Sequence, residues 1–232
     1  MTFSYYPGCT LKSKAKELDI SARACAQALG IELKELEQWQ CCGACYPMSR
    51  DEIATRLAAV RALESAQKEG GTLVTLCSAC HHVLTRVNGD MKNDAKIADT
   101  ANRYLELDYH GGTEVLHYLT MLRDRVGFDN LRAKVVNPLK GRKIGAYYGC
   151  MLLRPSKAMH FDDPENPTIM EDFIRALGAE PVVYQMRNEC WRICFHEGRG
   201  GGQKECRPRY GQCAPVRSAG AYYRLPAVPL QS

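Results

Sequence analysis

The chain has no uninterrupted apolar run approaching the roughly eighteen residues of a membrane-spanning helix, and no basic, apolar leader followed by a small-residue cleavage site. A cytoplasmic protein without a membrane span is expected. No Gly-x-Gly-x-x-Gly follows a strand-like segment, which argues against a dinucleotide site and against drawing electrons directly from a soluble nicotinamide carrier. Charge of one sign is also missing from most of the molecule. Residues 191–232 hold seven Lys or Arg and two Glu, whereas residues 1–190 hold 24 of each sign, so the formal charge of +5 is a local excess and indicates no nucleic-acid partner.

Cysteine is what the chain has in quantity, 12 among 232 residues. A chain of this length can build its own apolar core, and thiols in a reducing compartment stay reduced, so metal or redox chemistry is expected rather than a disulfide framework. Thirty-one residues separate Cys9 from Cys41-Cys42-Gly43, and thirty-four separate that pair from Cys77-Ser78-Ala79-Cys80. Thiols from three distant segments serve one site only if the fold gathers them.

Local signals place each of these cysteines. Residues 2–6 are β-prone and run into Pro7-Gly8, which puts Cys9 just past a strand. Leu18, Ala22, Cys25 and Leu29 recur at helical spacing up to Gly30, so Cys25 is read as core packing. Residues 31–39 are strand-like and lead to Cys41, Cys42 and a glycine that leaves room for a bulky group; Cys45 lies outside the spacing pattern. A helix opened by Asp51 and Glu52, with Ile53, Leu57, Val60 and Leu63 on its apolar face, ends at Gly70-Gly71. The apolar run 73–76 then predicts a buried parallel strand ending at Cys77, with Cys80 in the first turn of the next helix, where backbone N–H groups favour a thiolate. His81 and His82 do not match zinc-finger spacing and are assigned to packing or proton handling. Residues 95–132 read as helical, with Val115, Leu116, Leu119 and Leu122 apolar and His117 structural.

Near Leu139 the pattern starts again. Residues 143–148 predict a strand entering Gly149-Cys150, Tyr147-Tyr148-Gly149-Cys150 echoes Tyr5-Tyr6-Pro7-Gly8-Cys9, and a helix over 170–177 ends at Gly178 as the first ended at Gly30. Cys190 follows Gly178 by twelve residues, against eleven from Gly30 to Cys41. An internal duplication follows, with two sites facing each other across a pseudo-twofold axis. The proline-bearing stretch 162–167 between them is a solvated loop whose carboxylates are not assigned to a cation.

The pattern of Cys9, Cys41-Cys42-Gly43 and Cys77-x-x-Cys80 resembles the cysteine-rich CCG domain, and its tandem arrangement over residues 2–190 resembles the B subunit of heterodisulfide reductase. The resemblance implies an α/β fold of two pseudo-symmetric CCG domains with small parallel sheets, the second incomplete. Residues 1–138 would be the first domain with a helical extension, 139–190 a partial second domain, and 191–232 an aberrant, disordered tail. It also implies a non-cubane [4Fe-4S] cluster held by Cys9, Cys41, Cys42, Cys77 and Cys80. Cys150 and Cys190 match part of a second motif whose remaining ligands have no counterpart. The implied role is reduction of a small disulfide substrate within a complex that includes a ferredoxin-like iron–sulfur subunit and a flavin-containing subunit. Two alternatives stay open: a CCG-domain electron-transfer subunit of a glycerol 3-phosphate, lactate or succinate oxidation system, and a zinc-stabilised binding module.

The duplication breaks at Trp191, where a second paired cysteine is expected, and no CxxC follows. Gly200-Gly201-Gly202, scattered prolines and the absence of apolar periodicity do not support a core. A shifted reading frame accounts for these features together. TGC TGG CGG ATA TGC encodes Cys190-Trp191-Arg192-Ile193-Cys194, and loss of one G gives TGC TGC GGA TAT, which restores Cys-Cys-Gly. The expected result is a gene whose codons after Cys190 restore a CCG and a downstream CxxC in the neighbouring frame, the translated chain then holding one cluster and lacking disulfide reductase activity. Codons restoring neither would leave a divergent tail with Cys194, Cys206 and Cys213 as its candidate ligands.

Overall fold

The computed structural model describes residues 1–44 and 53–189. The chain divides into a compact unit, Met1–Trp191, and a second, Arg192–Ser232, which lies outside the described residues together with Cys45, Asp51, Glu52, Cys190 and the residues expected to form the tail.

Strand β1 (Thr2–Tyr5) leads into a short helix α1 (Gly8–Ser13), then helix α2 (Lys16–Ala28) and strand β2 (Glu32–Glu35). Helix α3 (Ala54–Lys68) precedes strand β3 (Thr72–Thr75) and helix α4 (Ser78–Asn93), followed by α5 (Ala95–Leu105) and strand β4 (Glu114–His117). These four strands form one parallel sheet in the order β2-β1-β3-β4. Parallel strands of four residues cannot alternate inside and outside when both faces are covered. Leu73, Val74 and Thr75 are accordingly all buried. One face packs Val60, Leu63, Ala66, Leu84 and Val87 of α3 and α4; the other packs Ala22 and Ala26 of α2 with Met121 and Leu122.

The second part begins with helix α6 (Tyr118–Met121), a π-helical turn (Leu122–Val126) and helix α7 (Phe128–Lys134). Strand β5 (Lys143–Gly145), helix α8 (Ser156–Met159), helix α9 (Ile169–Ala176) and strand β6 (Glu180–Val182) complete the described residues. β5 and β6 form a two-stranded parallel sheet. Phe173, Ala176 and Leu177 of the α9 segment pack into the cluster under the first sheet, so part of the core is shared between the two sheets.

The repetition is visible in the register. Thr2, Phe3 and Ser4 pair with Glu32, Leu33 and Lys34, and Lys143, Ile144 and Gly145 pair with Glu180, Pro181 and Val182. The N–H of Glu32 donates to Met1 O at 2.9 Å, and that of Glu180 donates to Arg142 O at 2.9 Å. Both intervening helices end in a glycine at positive φ, +76° at Gly30 and +82° at Gly178.

Three sequence expectations are corrected. Cys25 is exposed, and Leu18 is 54% exposed. The buried face of α2 is Asp19, Ala22 and Ala26, because Asp19 is drawn inward by the Tyr5 hydroxyl at 2.6 Å and by Arg23 Nε at 3.2 Å. Residues 95–132 are not all helical: α5 ends at Leu105, capped by Glu106 in the left-handed region, and Val115, Leu116 and His117 lie in β4, paired along β3 from Thr72↔Glu114 to Thr75↔His117. The strands expected over 31–39 and 143–148 are shorter, since each chain segment leaves its sheet to carry a cysteine-bearing loop.

Candidate metal centre

Each first-motif cysteine in the structure sits at the carboxyl end of a parallel strand or just beyond it, the edge where open α/β sheets place their ligands. Cys9 is in the first turn of α1, Cys41 and Cys42 are on the loop after β2, and Cys77 is the N-cap of α4 with Cys80 in its first turn. The Cys9 and Cys41 sulfurs are 3.4 Å apart, as are those of Cys42 and Cys80. Cys42 and Cys80 are buried, Cys77 is half-buried, and Cys9 and Cys41 are exposed. The thiols therefore form a floor and a rim. Among the described residues no three His, Cys, Asp or Glu side chains meet in a group sized for one metal ion; the sulfurs are gathered as two pairs instead.

Close approach is built into the turn before Cys9. Gly8 has φ +73°, and a Cβ there would lie 2.7 Å from Cys80 Sγ. Gly43 has φ +81°, and among the described residues nothing lies within 4 Å of a Cβ added there.

The thiols differ in acidity for separable reasons. Hydrogen bonding to Cys80 and to the N–H groups of Cys80 and Ala79 outweighs burial at Cys77 and lowers it to about 6. Cys42 is lowered to about 7, again chiefly by Cys80, with the Ala44 N–H assisting against burial. Cys80 is the thiol those two lean on, and their bonds to it, with burial, push it strongly up. At Cys41 the Gly43 N–H favours the thiolate, but burial, Cys9 and the charge of Cys42 leave it raised. Such mutual opposition is what a shared cation relieves: positive charge at the centre lets neighbouring thiolates coexist.

Tyr6 supports the floor. Its hydroxyl donates to Gln40 O, immediately before Cys41, and its ring meets Trp39 edge-on at 5.4 Å. Burial first, then the charges of Cys42, Cys80, Cys41 and Cys9, raise its pKa. Trp39 Nε1 donates to Glu35 at 3.1 Å, and Glu35 also binds Lys12 at 2.6 Å and Arg23 at 2.7 Å. Burial opposes ionisation of Glu35, but these donors prevail and hold it below the usual carboxylate range.

The histidines pack rather than face the thiols. His81 meets His117 edge-on at 5.5 Å and Phe161 edge-on at 6.2 Å, while His117 Nε2 donates to Leu76 O at 3.1 Å and its Nδ1 accepts from Leu119 N–H at 3.3 Å. Burial lowers His81 to about 3 and His117 to about 4, keeping both neutral. His82 Nδ1 donates to Met151 O at 3.0 Å, so α4 carries the chain from Cys80 to a contact with the residue after Cys150.

Cys150 is half-buried on the turn before α8. Arg187 anchors the approach to residue 190. Its carbonyl accepts from Tyr148 N–H at 2.7 Å, Nη2 donates to Asn166 at 2.5 Å, and Nε lies 3.3 Å from buried Glu171, an ion-pair distance without hydrogen-bond alignment. Glu171 also accepts from the Tyr148 hydroxyl. The carboxylates of loop 162–167 serve turns: Asp162 accepts from Thr168 N–H at 2.7 Å and Ile169 N–H at 2.8 Å at the start of α9, and Asp163 accepts from Glu165 N–H at 2.8 Å. Tyr6, Arg187 and Glu171 are the supporting residues that spacing did not reveal; the tyrosine had a signal, its repeated place three residues before a cysteine.

A cysteine-lined edge on a parallel α/β sheet, with a CCG at its centre, defines the class of this molecule. Residues 3–85 match the family described as the CCG cysteine-rich domain, and the chain carries a domain of that kind over those residues. It is 38% identical over 191 residues to the 8-methylmenaquinol:fumarate reductase membrane anchor subunit of Wolinella succinogenes, covering 81% of this chain and 66% of that one. It is 29% identical over 203 residues to the B subunit of the ferredoxin/F(420)H(2)-dependent CoB-CoM heterodisulfide reductase of Methanosarcina acetivorans, covering 86% and 65%. A protein of Archaeoglobus profundus described as like the heterodisulfide reductase B subunit is 28% identical, covering 81% and 65%. The chain thus spans 65% to 66% of the length of these relatives. The crystal structure of a hypothetical protein from Helicobacter pylori shares the fold, with a TM-score of 0.60 at 12% identity over 81% of this chain and 34% of that one. No helix among the described residues is long and apolar enough to cross a membrane.

Proposed function

We propose that this chain is the iron–sulfur subunit of a heterodisulfide reductase-type complex and passes electrons through a non-cubane [4Fe-4S] cluster to a small disulfide. The observation that carries this reading is the gathering of thiols from three segments into two sulfur pairs 3.4 Å apart at one sheet edge. Cys9, Cys41, Cys42, Cys77 and Cys80 are the residues that would hold the group, and the all-sulfur donor set suits iron–sulfur ligation. Bound there, the cluster supplies one-electron transfer and iron that can stabilise the sulfur of an opening disulfide.

The chain's own residues provide the rest. Cys77 and Cys42 are both lowered, chiefly by hydrogen bonding to Cys80, a direction that favours the ligating thiolate form. The buried floor limits water at Cys42 and Cys80, while the exposed Cys9 and Cys41 leave the rim open to a partner or substrate. Its partners would be a ferredoxin-like iron–sulfur subunit and a flavin subunit. The isolated chain with NADH is expected to leave a disulfide substrate oxidised, and the assembled complex is expected to reduce it only where the second motif is restored after Cys190. Efficient reduction by the isolated chain with NADH alone would overturn the partner assignment.

A second reading, electron transfer within a quinol-linked fumarate or succinate system, is favoured by the 38% identity to the Wolinella subunit. The two readings separate on the subunits that co-purify with the tagged chain and on whether a disulfide or fumarate reoxidises the reduced complex.

A further inference from the structure

We propose that Tyr6 and Tyr147 are equivalent positioning residues, each latching the chain just before a ligand cysteine. The inference rests on the cluster reading for its function, but its geometry stands apart from it. Tyr6 lies three residues before Cys9, and its hydroxyl donates to the carbonyl of Gln40, the residue bonded to Cys41. Tyr147 lies three residues before Cys150, and its hydroxyl donates at 2.6 Å to the carbonyl of Glu189, the residue bonded to Cys190. The glycine next to the leading cysteine repeats as well. A Cβ on Gly8 would sit 3.5 Å from Tyr6 Cε1, and one on Gly149 would sit 3.5 Å from Tyr147 Cε1, with φ +73° and +67°.

A side chain from one cysteine-bearing turn thus reaches across and closes on the backbone of the other. Cys190 follows Gly178 by twelve residues and Cys41 follows Gly30 by eleven, so the second loop has one residue more, yet the latch meets the same position relative to the cysteine. The sheet alone does not require that coincidence. It sets the register of β1 with β2 and of β5 with β6, but both loops have left the ladder by then. A phenol on a rigid ring suits such a latch, because it has few rotamers to freeze and its donor points at a carbonyl the sheet no longer satisfies.

The test uses the full chain in cluster-free form. Tyr6→Phe keeps the ring against Trp39 and removes only the hydroxyl. Alkylation of Cys42 is expected to accelerate up to about tenfold in this variant, as loss of one part-buried hydrogen bond allows, with exposed Cys25 as the unchanged internal reference. Amide hydrogen exchange is expected to rise across residues 36–40 in Tyr6→Phe and across 184–189 in Tyr147→Phe, each variant leaving the other segment alone. After anaerobic reconstitution, Tyr6→Phe should retain less iron than wild type and Tyr147→Phe should leave first-site iron unchanged. Wild-type alkylation and exchange in both variants would overturn the proposal, as would both segments responding to either change. A wild-type chain that takes up no iron while the crossed exchange pattern holds would remove the cluster reading and leave the latches standing.

Discussion

Cys42→Ser will cost the protein most of its iron, and Cys25→Ser will cost it almost none. Cys42 is 6% exposed on the buried floor of the site, its sulfur is 3.4 Å from Cys80, and hydrogen bonding there lowers its pKa and so favours the ligating thiolate. A serine hydroxyl does not ionise near neutral pH and is a poor ligand for a sulfur-bound iron centre. Cys25 is equally a thiol but is exposed on α2, away from the buried face of Asp19, Ala22 and Ala26. Iron and acid-labile sulfide per chain, with the visible spectrum of anaerobically purified protein, are the measurements. A severalfold drop in Cys42→Ser alone is expected. Equal retention in both variants would end the assignment of this site, and zinc in place of iron in the wild type would favour a zinc-stabilised binding module.

Gly8→Ala should damage both fold and site, whereas Gly30→Ala should damage only the fold. The two glycines have almost the same φ, +73° and +76°, so an L side chain meets the same backbone strain of about 1–2 kcal/mol at either position. Their surroundings differ. Among the described residues a Cβ at Gly30 meets nothing within 4 Å, but one at Gly8 would lie 2.7 Å from Cys80 Sγ. That sulfur has little room to yield, since Cys80 is 3% exposed in the first turn of α4. Relief requires moving either the α1 turn that carries Cys9 or the helix end that carries Cys77 and Cys80. Urea unfolding of the two variants should therefore show a larger loss for Gly8→Ala, and iron content should fall in that variant alone. Matching losses of stability with iron intact in both would show that the close contact has no bearing on the site.

Much of this site was legible because its signals are local. A strand followed by Pro7-Gly8-Cys9, an apolar run ending at Cys77, and a helix beginning at Ser78 are punctuated by turn and cap chemistry that a few neighbouring residues decide. The repeat was legible too, since Gly149-Cys150 and Gly178 restate Gly8-Cys9 and Gly30 in order. Strand β4 was not. Val115 and Leu116 also fit a helical spacing with Leu119 and Leu122, and it is pairing with the distant β3, from Thr72↔Glu114 to Thr75↔His117, that makes the segment a strand.

The direction of α2 was likewise beyond the pattern. Leu18, Ala22, Cys25 and Leu29 and the observed Asp19, Ala22 and Ala26 are neighbouring stripes of one helix, and Tyr5, brought near by the chain's return, selects between them through its bond to Asp19. By itself, then, the sequence determined which segments turn, cap and present thiols, because those choices depend on residues within a few positions. The tertiary structure decided which helix face is buried, which short segment becomes the fourth strand, and that a tyrosine three residues before each leading cysteine closes on the carbonyl before the next, because those choices depend on groups distant in the chain, 34 to 42 residues apart for the strand and the latches, meeting in space.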